Sequence, residues 1–234
     1  MVPDATGATG ATGATDATGA TGATLRPPRH EPLAPWSDAV PARVLARGEA
    51  LYLVGEGATG VYAVEAGLLT LAIASPTGRE RLIGIAGPGD LLGALDPGAD
   101  RYGETAQALG AAVVVRALDP RHGPGGDAVA GALGDQARRL RQALEDVDLP
   151  VAARLARTLA RLGERFGQRT EDGTVRLTLP LTHEHLAALV GAARETTTLT
   201  LSDLRRRGLV EGTRGRYRFD PARLRDAAHG PLLN

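Results

Sequence analysis

The chain has 234 residues, 27 basic and 27 acidic, so its formal net charge is zero, and every basic residue is arginine. It has no cysteine, which excludes disulfides, thiolate zinc sites, iron–sulfur clusters and cysteine nucleophiles. No apolar run approaches the roughly 18 residues that span a bilayer, and no basic-then-apolar leader opens the chain. The expected setting is the cytoplasm, with no membrane partner.

Residues 5–24 repeat Ala-Thr-Gly with one Asp, and the proline-bearing stretch LRPPRHEPLAP follows. Gly at every third place without Pro in the others does not make collagen, and prolines forbid strand pairing. Residues 1–35 are expected to form a low-complexity leader without a packed core.

Residues 36–125 change character. RVLARG, ALYLVGEG, VYAVEAG, LLTLAIAS, RLIGIAGPGD and AAVVVRAL are short apolar segments punctuated by Gly. This rhythm predicts an antiparallel β-roll of jelly-roll type, with a core of Val, Leu, Ile and Ala because aromatics are few.

Residues 126–148 predict a long helix. Val129, Leu133, Leu140, Leu144 and Val147, with Gln136 in the remaining seam position, follow steps of three and four that keep one narrow stripe. Such a stripe either pairs with a second copy, making a homodimer, or lies on the chain's own roll. Asp148 is placed as the cap of the next helix, with Pro150 in its first turn.

Residues 149–234 form the last block. After that helix come a strand at VRLTL, a short helix capped by Thr182, a Gly-Ala turn, a longer helix in ARETTTLTLSDLRRRG and a hairpin in LVEGTRGRYRFD. Helix, Gly-containing turn, helix and ribbon is the order of a winged helix-turn-helix, giving an α+β chain overall. From Val175 onward there are 10 Arg against 6 Asp plus Glu, a basic block on an acidic body.

On a 3.6-residue wheel the longer helix buries Thr197, Thr200, Leu201 and Leu204 and exposes Arg194, Glu195, Thr198, Leu199 and Ser202. Arg bonds guanine bidentately and Glu accepts from the cytosine amino group, while Thr198 and Leu199 offer methyl groups to thymine. Thr196 is short enough to approach a phosphate.

The stretch LTHEHLAALVGAARETTTLTLSDLRRRGLVE, with the upstream PGDLLG segment and the Arg154-Leu155-Ala156 step, closely resembles the Crp/Fnr family of bacterial transcription regulators over residues 36–227. The resemblance implies a homodimeric regulator on an inverted-repeat operator in double-stranded DNA, contacting RNA polymerase. It makes Arg194 and Glu195 base readers, Thr182 and His183 phosphate contacts, and Arg214 and Arg216 wing contacts to the backbone. Leu199 stands where many members have a second Arg.

In members that bind cyclic AMP, a Glu after PGD-x-x-G holds the ribose, and an Arg-Ser pair ten residues later holds the phosphate. Here those places, after Gly93, are Ala94, Glu104 and Thr105. A carboxylate facing a phosphate repels it, so cyclic AMP is not expected, unless Arg101 substitutes. No metal or other cofactor is expected: His183 and His185 form an H-x-H on a helical turn without a partnering carboxylate at ligand spacing. No catalytic set is present, so an enzyme is not expected. The alternative to a DNA-binding regulator is a β-roll ligand sensor whose C-terminal block makes protein contacts.

Overall fold

The computed structural model describes residues 41–74, 80–96, 98–118 and 125–230; the leader and the chain end lie outside them. Eight short strands come first: β1 (Ala42–Leu45), β2 (Ala50–Tyr52), β3 (Val61–Ala66), β4 (Leu69–Ala74), β5 (Glu80–Ala86), β6 (Leu91–Gly93), β7 (Thr105–Ala108) and β8 (Val113–Ala117). They pair antiparallel in two four-stranded sheets, ordered β1-β8-β3-β6 and β2-β7-β4-β5. Alternation turns Leu45, Leu69, Leu71, Leu92 and Val115 into the space between the sheets, where each is almost fully buried. The antiparallel β-roll is therefore present. It includes two strands, β6 and β7, that the apolar rhythm did not single out.

The long helix α1 (Gly126–Glu145) buries none of its residues completely. Ala128 and Ala132 lie against Leu91 and Leu95 of the roll, so one face of the helix does rest on its own chain. The predicted stripe points elsewhere: Leu133, Leu140, Leu144 and Val147 are exposed in the single chain, Leu144 to 73 %.

Helix α2 (Val151–Phe166) begins after Pro150, which occupies the capping position itself, with no side-chain cap. The assignment of Asp148 as cap is therefore corrected: it is exposed and lies too early in the chain, because Pro150 fixes the extended entry to the helix. The carboxylate that matters here is Asp146, buried and paired with both Arg157 and Arg161 across one face of α2.

Beyond α2 come β9 (Gln168–Arg169), β10 (Val175–Thr178), α3 (His183–Val190), α4 (Arg194–Arg206), β11 (Glu211–Thr213), β12 (Arg216–Phe219) and α5 (Pro221–His229). The four strands form one antiparallel sheet, β11-β12-β10-β9. Leu155 and Leu159 of α2, Leu177, Leu186, Leu201, Leu204, Tyr217 and Leu224 close a core that also takes in Leu68, Ile85 and Leu109 of the roll. α5 was not foreseen, although Asp220 caps it through the amides of Ala222 and Arg223 and Pro221 stands at its first position. Among the described residues no helix is long and apolar enough to cross a membrane.

Candidate nucleic-acid interface

Thr182 starts α3 as predicted. Its hydroxyl accepts from the His185 amide at 3.2 Å, and Nδ1 of His185 accepts from the Thr182 amide at 3.2 Å. Histidine thus plays the part usually taken by Glu or Gln in a capping box. α3 ends at Gly191, whose φ of 63° is left-handed and suits glycine, and three residues later α4 begins.

In α4, Thr197 is fully buried with Leu201 and Leu204, whereas Arg194, Glu195, Thr196 and Leu199 are exposed, Leu199 to 72 %. Thr198 and Thr200 are half-buried. The hydroxyls explain how a helix tolerates this run of β-branched residues. Thr197 donates to the Ala193 carbonyl at 3.0 Å, Thr198 to Arg194 at 2.8 Å, Thr200 to Thr196 at 2.8 Å and Ser202 to Thr198 at 3.0 Å. Each polar group is satisfied one turn back, without competing for the ladder.

Nδ1 of His183 lies 3.0 Å from the Thr198 hydroxyl, which locks α3 to the exposed edge of α4. With the same hydroxyl donating to the Arg194 carbonyl at 2.8 Å, the geometry favours Nδ1 as the donor of this pair. Burial lowers the His183 pKa, and Arg205 and Arg194 lower it further. Arg194 itself is lightly held: its Nε is 3.9 Å from Glu184, and both side chains are largely exposed.

The wing is a two-residue hairpin. Thr213 faces Arg216, and Arg214 (φ 52°) and Gly215 (φ 78°) turn between them, both in the left-handed region that matches the twist of the strands. Tyr217 and Phe219 point into the core while Arg216 and Arg218 point out. Arg218 is neutralised by Asp172, but Arg214 and Arg216 are exposed and make no ion pair among the described residues. Nε of Arg205 donates to the Gly212 carbonyl at 2.7 Å, tying α4 to the wing. α4's first turn, Thr182 with His183, and the wing arginines therefore belong to one connected unit.

The roll pocket predicted from Gly93, Ala94, Arg101, Glu104 and Thr105 is different in character. Glu104 is 5 % exposed, and burial raises its pKa, opposed by the field of Arg139. Tyr52 and Tyr102 stack beside one another with ring centres 4.0 Å apart. The Thr105 hydroxyl accepts from the Val54 amide at 3.0 Å, and Arg101 at the surface donates to the Gly55 carbonyl at 2.7 Å. At Gly93 (φ 103°) a Cβ would collide with the Gly60 carbonyl. What sequence reasoning missed is Arg139 of α1, whose charge acts on both Glu104 and Asp90.

Comparison with known proteins agrees with this architecture. Residues 42–119 match the family model for the cyclic nucleotide-binding domain and residues 153–227 that for the Crp-like helix-turn-helix domain. The chain is 34% identical over 182 residues to the CRP-like cAMP-activated global transcriptional regulator of Mycobacterium tuberculosis, covering 70% of this chain and 77% of that protein. It is 34% identical over 194 residues to the transcriptional regulator LdrP of Thermus thermophilus, covering 80% and 96%. A crystal structure of a CRP-family transcriptional regulator, also from Thermus thermophilus, superposes with a TM-score of 0.65 at 31% identity, covering 81% and 98%.

Proposed function

The chain belongs to the Crp/Fnr family of transcription regulators, which are not enzymes, and from that premise we propose that it acts as a homodimer reading an inverted-repeat operator without responding to cyclic AMP. The observation that carries the reading of DNA is the exposed first turn of α4: Arg194 and Glu195 stand out from a helix whose opposite face is buried, flanked by Arg214 and Arg216 of the wing, which make no ion pair among the described residues. Arg194 and Glu195 read adjacent base pairs, with Thr198 and Leu199 against thymine methyls; Thr182, His183, Thr196, Arg214 and Arg216 meet the phosphate backbone. Residues 36–125 act as the sensor-like domain, 126–148 as the dimer helix and 149–234 as the DNA-binding domain. In a dimer the two copies of α4 enter successive major grooves about 34 Å apart. RNA polymerase is the further partner this reading implies, and the cytoplasm its place.

Independence from cyclic AMP rests on Ala94 and Glu104. The Mycobacterium tuberculosis relative is named as cAMP-activated, but here a buried carboxylate occupies the place where a phosphate would need a cation. The alternative, a roll sensor whose last domain makes only protein contacts, leaves the exposed Arg194–Glu195 pair and the wing arginines without a task.

The test selects bound sequences from random duplex, then compares Arg194→Ala with Arg216→Ala on matched and mismatched operators. Arg194→Ala should cost about 1–3 kcal/mol on the matched site and relax preference at one base pair. Arg216→Ala should weaken both alike and flatten the salt dependence by nearly one phosphate contact. Equal loss on both operators for Arg194→Ala refutes base reading by this residue.

A further inference from the structure

A cleft of about 110 Å³ opens where the roll, α1, α2 and α3 meet. Its walls bring together Arg81 of β5, Arg139 of α1, and Arg161 and Arg165 of α2, with Asp146 the one acidic side chain among the lining residues. Two of these cations are already matched. Arg161 shares Asp146 with Arg157, and Arg165 grips both oxygens of Asp90.

The others are not. Arg81 gives one terminal nitrogen to the Ala143 carbonyl at 3.1 Å, and its Nε is buried without a partner. Nε of Arg139 is likewise buried without a partner. Its aliphatic stem crosses β5 at Gly84, where a Cβ would come within 2.5 Å of the arginine Cδ, so any side chain there would push Arg139 from its present path. At the turn between α3 and α4, Arg81 Cζ and a terminal nitrogen of Arg154 lie 3.9 and 3.7 Å from the place a Gly191 Cβ would take. Two guanidiniums are thus no more than about 8 Å apart, and Nε of Arg154 is also buried without an acceptor. Among the described residues none of Arg81, Arg139 and Arg154 makes an ion pair. Arg139 is answered only at a distance by Glu104 and Asp90, and Arg81 by no carboxylate among the lining residues but Asp146, so donors left without an acceptor at a partly buried site are costly unless an anion joins them.

We propose that this cleft binds a small phosphate-bearing metabolite, about the size of a phosphate monoester, gripped by Arg81 and Arg139 with Arg154 reinforcing the field. Arg81 comes from a strand and Arg139 from a helix, so the cleft offers donors from two separate elements, and a phosphate, with three or more acceptor oxygens, can take bonds from both. The volume suits a phosphate with a short carbon stub against Leu162, Phe166 and Leu189, and lies below the roughly 300 Å³ at which ordinary small-molecule sites begin. The occupant would touch the roll, the long helix and the first helix of the helix-turn-helix together, so its binding favours one placement of the DNA-reading domain on the roll. That coupling rests on the DNA-binding function proposed above; the binding itself does not.

Titration calorimetry of the full chain with glycerol 3-phosphate, without DNA and at constant ionic strength, tests the site. We expect saturable binding of one ligand per chain, no heat with glycerol, about tenfold or greater weakening in Arg81→Gln and in Arg139→Gln, and unchanged binding in Arg138→Gln on the outer face of α1. Absence of saturable binding by the wild type up to about 10 mM overturns the proposal, as does wild-type affinity in both Arg81→Gln and Arg139→Gln. Circular dichroism on each variant separates lost binding from lost fold, and the wild-type titration decides the matter if either variant unfolds. A DNA titration with and without glycerol 3-phosphate then reads the coupling. Binding without any shift in operator affinity refutes the coupling, and failure of the wild type to bind DNA at all refutes the regulator reading while leaving the calorimetry standing.

Discussion

Replacing Leu144 by Asp should separate the proposed dimer. The side chain is 73 % exposed in the single chain, on the stripe with Leu133, Leu140 and Val147. Full burial of a leucine contributes about 1.5–3 kcal/mol, so covering what is still exposed is worth about 1–2 kcal/mol per chain. A two-fold axis counts it twice, about 2–4 kcal/mol, which weakens association by about 30- to 1,000-fold, and burying a carboxylate adds to that. Sedimentation velocity over a dilution series reads the result. The wild type should run as a dimer at micromolar concentration and Leu144→Asp as a monomer, both with the same helix content, while Arg138→Glu on the opposite side of α1 stays dimeric. A wild-type monomer at micromolar concentration, or a variant that dimerises as tightly as the wild type, refutes the assignment of this stripe.

Calorimetric titration of the wild type with cyclic AMP should show no binding at micromolar concentrations; measurable affinity there, retained in Arg101→Ala, overturns the reading of Ala94 and Glu104. Burial raises the folded pKa of Glu104 above its unfolded one, against the opposing field of Arg139, so the stability it contributes is present in acid and lost as pH rises through the folded value. Glu104→Gln should therefore raise the melting temperature at pH 8 more than at pH 4. His183 has the opposite sign: its folded pKa is lowered, chiefly by burial, so its contribution is present above the unfolded value of about 6.5 and lost as the pH falls below it. Melting curves at pH 7.5 and 5.5 should converge in His183→Gln relative to the wild type, and equal pH dependence in both proteins counts against a neutral His183. Gly191→Ala should cost about 1–2 kcal/mol, since its φ is left-handed but the nearest atoms to the added methyl are the ends of two arginines at ordinary contact distance; a neutral effect on chemical denaturation would show that the turn relaxes.

The helix-turn-helix was legible because its signals are local. Thr182, Gly191 and the 3.6-residue alternation of Thr197, Leu201 and Leu204 each act within a turn or two of chain. The roll was legible in kind but not strand by strand: Leu91–Gly93 is three residues long, and Thr105–Ala108 has a single β-branched residue. Their pairing with β3 and with β2 and β4 decides them, and that is invisible in sequence. Asp148 was misread because a capping residue is recognised by position relative to a helix start, and Pro150 moved the start. Asp146 and Arg139 escaped notice for a related reason: their partners lie on other elements, so no spacing announces them. Asp220-Pro221, by contrast, was a readable start signal for α5.

The back-bonded hydroxyls of α4 decide what kind of contact each threonine has left to offer. Thr198 and Thr200 spend their single proton on a carbonyl of their own helix, so toward an approaching duplex they are acceptors with methyl groups and have nothing to give a phosphate oxygen. Among the described residues the Thr196 hydroxyl has no such bond and keeps its proton for a neighbour. His183 meets a phosphate as a donor through Nε2 when its ring is charged, and burial with the nearby Arg205 and Arg194 lowers the pH at which that happens, so its grip on the backbone should strengthen as pH falls. Within one short helix the chain thus leaves some hydroxyls only an acceptor role and one a free proton, by nothing more than which carbonyl lies four residues behind.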